Sequence, residues 1–366
     1  MYQATFYEIL FCLIFWIIAA FIYLPSLRTT GRGFERTHRP NSSQLFGLFF
    51  IITFYSVFEF AGGDFFHYKE FYERTHFLGT NDGLDPIYLW LIDVLPNNFY
   101  LWRLVVWGAA SFIWIQIIKR LGYSVRLAGC LFLLIVFFLF VGARQALGFS
   151  LLYLGVTMML NSTKIKEKLL GILIFLSAYF FHSTMIVYML LSILALVPLK
   201  RRTIIISLIM FPILYKIFDA FIEFFIVKFS LFNDDSADTM VRYLESDFRA
   251  RSNINGLIRR VIDRLPIFIL LFVSIKDIWK NKIHLPKIYH YFLMMTYILI
   301  YISYLFVGRE VSAYIAPRFW DAALFPLTLF LGGYLTNKKA NLSIYVALAF
   351  LVFSKLFAYF LVFTKI

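Results

Sequence analysis

The chain has 366 residues, of which 61% are hydrophobic, 20% aromatic and only 15% charged. This is too little polar surface to coat a soluble domain of that size, so a water-soluble globular protein is excluded. The formal charge of +14 would suit nucleic acid only if the basic residues clustered on one presented face, and their positions along the chain have another cause.

A helix crosses a hydrocarbon core of about 30 Å with roughly 17–25 apolar residues, and such runs recur from end to end. The sequence predicts helices at about 6–27, 45–61, 99–118, 125–143, 145–160, 169–181, 183–197, 203–229, 261–279, 288–307, 319–335 and 342–363. The expectation is an all-α polytopic membrane protein with about 12 transmembrane helices in a single transmembrane domain spanning 1–366. The first run is too long for the apolar region of a signal peptide and lacks a basic leader and a small-residue cleavage site, so it reads as a retained helix. Cys12 and Cys130 lie in apolar runs near opposite membrane faces, which argues against a disulfide.

Every second connection is strongly basic. Arg28, Arg32, Arg36 and Arg39 follow the first helix, Lys119, Arg120 and Arg126 the third, and Lys164, Lys166 and Lys168 the fifth. Lys200, Arg201 and Arg202 follow the seventh, Lys276, Lys280, Lys282 and Lys287 flank the turn after the ninth, and Lys338 and Lys339 follow the eleventh. These six segments hold 19 of the 35 Lys and Arg but only Glu35, Glu167 and Asp277 of the 21 acids. Under the positive-inside rule they are cytoplasmic, which places both termini outside (N-out, C-out) and makes the basic balance a record of orientation.

Two pairs of helices are short and meet at polar residues, one at Gly142-Ala143-Arg144-Gln145 and the other at Phe181-His182-Ser183. Backbone breaks at membrane depth are tolerated where they line a cavity or are buried in protein. Two outer-face loops are long, at about 62–98 and 230–260. The first carries the apolar piece Ile87 to Leu95, too short to span and suited to a re-entrant or interfacial helix.

With this topology the polar residues of interest converge on the outer side. They are Asp64, His67, Tyr68 and Tyr72, then Arg103, Arg144 and Gln145, His182 and Ser183, the Arg242 to Arg264 region, and Arg309, Glu310, Arg318 and Asp321. Arg144 between apolar runs is either snorkelling to headgroups or an anion ligand, since guanidinium is always charged and grips phosphate bidentately. His182 is either a hydrogen-bonded packing residue or a base near neutral pKa. Asp64, after Ala61-Gly62-Gly63, is a solvated residue past a helix end or an inward-turned carboxylate that orients a base, binds sugar hydroxyls or acts as base itself. Asp234, Asp235 and Asp238 read more simply as turn and helix-start acids than as a cation site. The nearby arginines are either headgroup-facing or a surface for a diphosphate lipid. His67 and His76 make no convincing zinc set with His182, and no metal site is predicted.

The order of these features resembles the EpsG family of the Wzy-type polysaccharide polymerases. The resemblance rests on Gly63-Asp64 followed by Tyr68 and Tyr72, on Ala143-Arg144-Gln145-Ala146 and Phe181-His182-Ser183-Thr184 each opening a helix, and on the late outer-loop Arg318 in Pro317-Arg318-Phe319. It implies a bacterial inner-membrane glycosyltransferase of O-antigen, capsule or exopolysaccharide assembly with a fold similar to the GT-C glycosyltransferases. Its site would face the periplasm or outside and act on undecaprenyl-diphosphate-linked repeat units, metal-independent and without a cofactor. A chain-length regulator is a possible partner; nucleic acid is not. On this resemblance His182, Asp64 and Arg144 are the catalytic candidates, the reaction being expected to invert the anomeric centre. Arg318, Arg309, Arg103, Arg259, Tyr68, Tyr72 and Gln145 are the candidates for diphosphate or sugar binding. The Arg-rich 242–264 stretch has no counterpart in the family pattern. A flippase for the lipid-linked unit, a ligase or another GT-C enzyme are the competing readings. The polar residues gather at one face and no matching halves are visible, which favours an enzyme over a transporter.

Overall fold

The computed structural model describes residue 14 and residues 42–58, 63–78, 86–96, 98–122, 143–230, 254–280, 285–306, 312–337 and 343–354 apart from 345 and 352. Eleven helices with defined ends occur among them: α1 Ser42–Phe58, α2 Gly63–Leu78, α3 Pro86–Val94, α4 Phe99–Leu121, α5 Ala143–Asn161, α6 Ile165–Phe181, α7 Met185–Leu194, α8 Arg201–Ser230, α9 Ile254–Lys280, α10 Lys287–Leu305 and α11 Ser312–Asn337. Residues 343–354 are helical where described, and no strand occurs among the described residues. The all-α expectation therefore holds. Two of these helices, Phe99–Leu121 and Lys287–Leu305, are both long and apolar enough to cross a membrane. The helices expected at 6–27 and 125–143 lie outside the described residues except for residue 14, which is helical, and residue 143, which opens α5; both cysteines lie outside them.

The structure departs from the predicted boundaries where charge interrupts apolarity. A helix, α2, occupies Gly63–Leu78, in what reads from the sequence as loop. Its exposed charges pair one turn apart, Lys69 with Glu73 and Arg74 with Glu70, the spacing that supports a solvated helix. Helix α9 begins seven residues before the expected 261, and α11 seven before the expected 319. Arg259 and Arg318 are thus helical residues rather than loop residues. The short helix expected at Ile87 to Leu95 is present as α3.

Helix α4 has clear stop signals. The Asn98 side chain accepts a hydrogen bond from the Leu101 N–H at 3.1 Å, and Gly122 closes the other end at φ 72°, where its N–H reaches the Ile118 carbonyl. Both serve backbone groups that a helix end leaves unpaired. Lys119 and Arg120 fill its last turn, as the helix dipole favours.

The closest pairings are α5 with α6 and α10 with α11, and α5 also packs on α4, which carries α1. Glycine decides the first. A Cβ placed on Gly155 would lie 2.6 Å from the Gly171 carbonyl oxygen and 2.7 Å from the Phe175 nitrogen, so the two backbones touch directly. Among apolar helices in lipid, where burial itself gives little driving force, such close approach is the main source of association. Gly333 of α11 does the same for the Tyr289 ring of α10, which fills the space a Cβ would need. Around these pairs the core is aromatic: Phe149 packs on Tyr188 at 4.7 Å and on Phe325 at 5.2 Å, and Trp114 stands edge-on to Phe325 at 5.6 Å. The outward side of α6 is apolar, with Leu169, Leu173, Leu176 and Phe180 exposed, as a lipid-facing surface requires.

Hydroxyls tie α10 to its neighbours. Tyr289 donates to the Leu121 carbonyl at 3.2 Å, Tyr291 to Ser192 Oγ at 2.8 Å and Tyr301 to the Ser207 carbonyl at 2.7 Å. The last lies one residue before Leu208, whose carbonyl loses its usual partner because Pro212 has no N–H to give.

The two ends of the bundle differ in kind. At one end Arg120 contacts Glu167 at 3.4 Å and the Asn161 amide donates to the Arg120 carbonyl at 2.9 Å. This joins the end of α4 to the α5–α6 turn and gathers the basic segments at 119–120 and 164–168, as the alternating charge pattern requires. Tyr289 brings the start of α10 to the same end. The opposite end carries the start of α5, the α6–α7 break and the facing ends of α10 and α11.

Candidate functional site

The α6–α7 break is a real interruption. Helix α6 ends at Phe181, and His182 is extended at φ −166°, ψ 114°, with its N–H shared between the Ala178 and Tyr179 carbonyls at 3.2 Å. The chain then turns back at once. The His182 carbonyl accepts from the Met185 N–H at 2.8 Å, and the Ser183 and Thr184 carbonyls accept from Ile186 and Val187 at 3.3 and 3.2 Å. This tight turn fixes the His182 backbone and leaves its ring half-buried at the end of the bundle. The adjoining Phe181 packs on the cluster formed by Tyr72, Tyr88, Phe99, Trp102 and Leu147.

Arg144 and Gln145 occupy the first turn of α5, two and three residues after Gly142. The Arg144 guanidinium lies 5.9 Å from the centre of the Tyr88 ring, and the Tyr88 hydroxyl donates to the Arg144 carbonyl at 3.5 Å. Tyr88 is fully buried and stands edge-on to Trp102 at 5.9 Å. The short helix α3 therefore serves as the platform for Arg144.

Gln145 points to the other partner helix. Its amide donates to the Tyr188 hydroxyl of α7 at 3.5 Å. Tyr188 packs on Phe319 at 5.6 Å, and the charges of Arg318 and Asp321 both act on its hydroxyl. Arg318 is exposed and Asp321 half-buried. The first turns of α5 and α7 and the early part of α11, far apart in sequence, thus meet at one place. That meeting joins Arg144, Gln145, Arg318 and Asp321 through two tyrosines.

Two candidates are held in a different way. Tyr72 is 2% exposed, its hydroxyl donating to the Pro96 carbonyl at 3.3 Å and accepting from the Asn98 N–H at 3.0 Å. It pins α2 to the turn before α4. Burial pushes its phenol above the ordinary value of 10.0, and the Asn98 N–H works against that. Arg103 is 6% exposed, with its guanidinium on the Ser56 carbonyl of α1 and 5.8 Å from the Phe99 ring. It ties α1 to α4 beneath the same aromatic cluster.

Asp64 and Tyr68 lie in the first half of α2 and Arg259 in the first turns of α9, with side chains outside the described residues. Arg309 and Glu310 are outside them altogether, as are Asp234, Asp235, Asp238 and Arg242. Among the described residues no three His, Cys, Asp or Glu side chains come together as a metal-binding group.

Sequence reasoning missed Tyr88, which seats Arg144, and Tyr188, which meets Gln145. Each sits in an apolar run among 23 tyrosines, and nothing in their spacing marks them. It also missed Trp320, although that residue stands between Arg318 and Asp321.

No curated protein and no solved structure matches the chain. The EpsG family model does match, over residues 44–366. That range takes in every described helix from α2 to α11, with all the contacts just described. The chain therefore belongs to the EpsG family and has, as membership implies, a polymerase-like role in polysaccharide biosynthesis at a membrane.

Proposed function

We propose that the protein polymerises oligosaccharide repeat units linked to undecaprenyl diphosphate at the outer face of the bacterial inner membrane. The observation that carries this reading is the meeting of Arg144 and Gln145 with Tyr188, Arg318 and Asp321 at the end of the bundle away from the paired basic segments. Family membership supports the reaction class.

In this scheme the non-reducing-end hydroxyl of the acceptor unit attacks the anomeric carbon of the donor glycan. The new C–O bond forms as the bond to the carrier diphosphate breaks, and the hydroxyl proton passes to His182, oriented or replaced by Asp64. Undecaprenyl diphosphate leaves as an anion, and fixed cations aimed at the growing charge lower the barrier. Arg144 and Arg318 take that role, with Arg309 or Arg259 in support. A single in-line displacement inverts the anomeric centre and calls for no metal. The wider architecture is about twelve spans in a GT-C-like arrangement with both termini outside, and a chain-length regulator docks on it. NMR of the product showing a retained anomer would overturn the single-displacement step.

The test is the length distribution of surface glycan in a deletion strain complemented with wild type, Arg144→Ala or His182→Ala, with membrane levels matched. Single repeat units where wild type gives a ladder support the polymerase and implicate both residues. If single units never reach the outer side in the deletion, a flippase is the better reading, and an unchanged ladder ends the proposal.

A further inference from the structure

Behind Gln145 runs a line of hydrogen bonds that crosses three helices. The Gln145 amide of α5 donates to the Tyr188 hydroxyl of α7 at 3.5 Å. One turn further along α7, Ser192 Oγ donates to the Tyr188 carbonyl at 2.8 Å and accepts from the Tyr291 hydroxyl of α10, also at 2.8 Å. Tyr188, Ser192 and Tyr291 are all buried, whereas Gln145 is half-buried at the start of its helix. Phe149 at 4.7 Å and Phe319 at 5.6 Å pack on the Tyr188 ring.

Polar groups inside an apolar bundle are costly unless they are satisfied, and a satisfied line of them is stiff. With its ring packed and its backbone tied to α10 through Ser192, Tyr188 presents its hydroxyl from a fixed place. A glutamine side chain has many rotamers to lose, and the bond to that hydroxyl restricts them. The position of the Gln145 amide is thus set from the core of the bundle.

The chemistry of the amide then selects its ligand. One N–H is given to Tyr188, which leaves one N–H and a carbonyl oxygen. This edge both donates and accepts, as a sugar hydroxyl does. A diphosphate only accepts, so it would use half of the edge and face the amide oxygen with the rest. We infer that Tyr188, braced by Ser192 and Tyr291, is a positioning residue that turns the Gln145 amide toward a hydroxyl of a sugar in the repeat unit. The inference rests on the polymerase reading for the substrate.

In the test, purified full-length protein receives lipid-linked repeat units extracted from its host strain deleted for it. Initial rates of chain extension are measured against unit concentration. Tyr188→Phe keeps the ring and removes only the hydroxyl, and kcat/KM should fall about three- to tenfold with little change in melting temperature. Gln145→Ala should lose about tenfold, and in that background Tyr188→Phe should cost nothing further, within about twofold. Ser192→Ala, one step further back, should lose less than Tyr188→Phe. Undecaprenyl diphosphate without a sugar then serves as an inhibitor, and its Ki should agree within about twofold among wild type, Tyr188→Phe and Gln145→Ala.

Tyr188→Phe at the wild-type rate, or losses that multiply in the double variant, overturn the positioning role. A Ki that rises in step with the loss of rate moves Gln145 to the diphosphate and overturns the sugar assignment. In each of these cases extension by wild type leaves the polymerase reading standing, whereas wild type extending no units removes both.

Discussion

At one end of the bundle Arg120 meets a carboxylate, Glu167, at 3.4 Å, whereas at the other Arg103, Arg144 and Arg264 each lie within 6 Å of the centre of an aromatic ring. A carboxylate cancels the formal charge it holds, and a ring does not. The first end uses its charges to fasten α4 to the α5–α6 turn. The second seats its guanidinium groups against aromatic rings, which fix their position. The same residue type therefore meets a carboxylate at one end and aromatic rings at the other, where Arg103 still serves cohesion through the Ser56 carbonyl and the proposed function gives Arg144 the anion.

The comparison can be broken by substitution, and the largest expected effect is at the ring-bearing end. Arg144→Ala should lower chain extension about 10²–10³-fold, the usual loss when a fixed stabiliser of developing charge is removed. Its thermal unfolding in detergent should change little; a collapse in stability with activity per folded molecule intact would make Arg144 a cohesive residue like Arg120. Next in size is Gly155→Ala, whose Cβ would meet the Gly171 carbonyl at 2.6 Å and which should cost about 1–3 kcal/mol. Gly47→Ala is its control, since nothing lies within 4 Å of a Cβ there. It should leave the melting temperature unchanged or raised, as helix propensity favours alanine by about 1 kcal/mol.

Tyr72→Phe removes both hydrogen bonds that pin α2 and should cost about 1–2 kcal/mol. A matching loss of activity would extend the functional end to α2, and unchanged activity would confine Tyr72 to cohesion. The smallest effect is one of pH. Hydrogen bonds from Ser162 first, and then Arg120, hold the Glu167 carboxyl below its ordinary value of 4.5. A lowered folded value means its contribution is present above 4.5 and is lost as pH falls through the lowered value. Melting curves from neutral pH to below that point should show a slight acid-side loss that is absent in Glu167→Gln, with glycan length unaffected at neutral pH.

The apolar helices were legible because composition alone marks them: α4 starts at the expected 99, and α10 is within two residues of 288–307. The alternating basic turns also gave the grouping of Arg120 with the α5–α6 turn. What failed was the reading of charge as loop. In α2 the i,i+4 pairs stabilise a helix that has no apolar run to announce it, and in α9 and α11 the arginines and Pro317 hid an extra two turns. For the site, Arg144, Gln145 and His182 were visible because a polar residue between apolar runs is costly and needs a reason. Tyr88 and Tyr188 were not, since a tyrosine in such a run costs little and its partner is chosen only by tertiary packing.

The glycine contact between α5 and α6 also bears on biosynthesis. Only residues 162–164 separate the two helices, so the surfaces that must touch leave the ribosome within seconds of each other and close a loop of minimal entropy. Chain order puts α5 and α6 ahead of α10 and α11, whose Phe292 and Phe325 pack on Tyr153 and Phe149 of the hairpin. Assembly can thus follow the order of synthesis, with the first-made hairpin serving as the mould for the last.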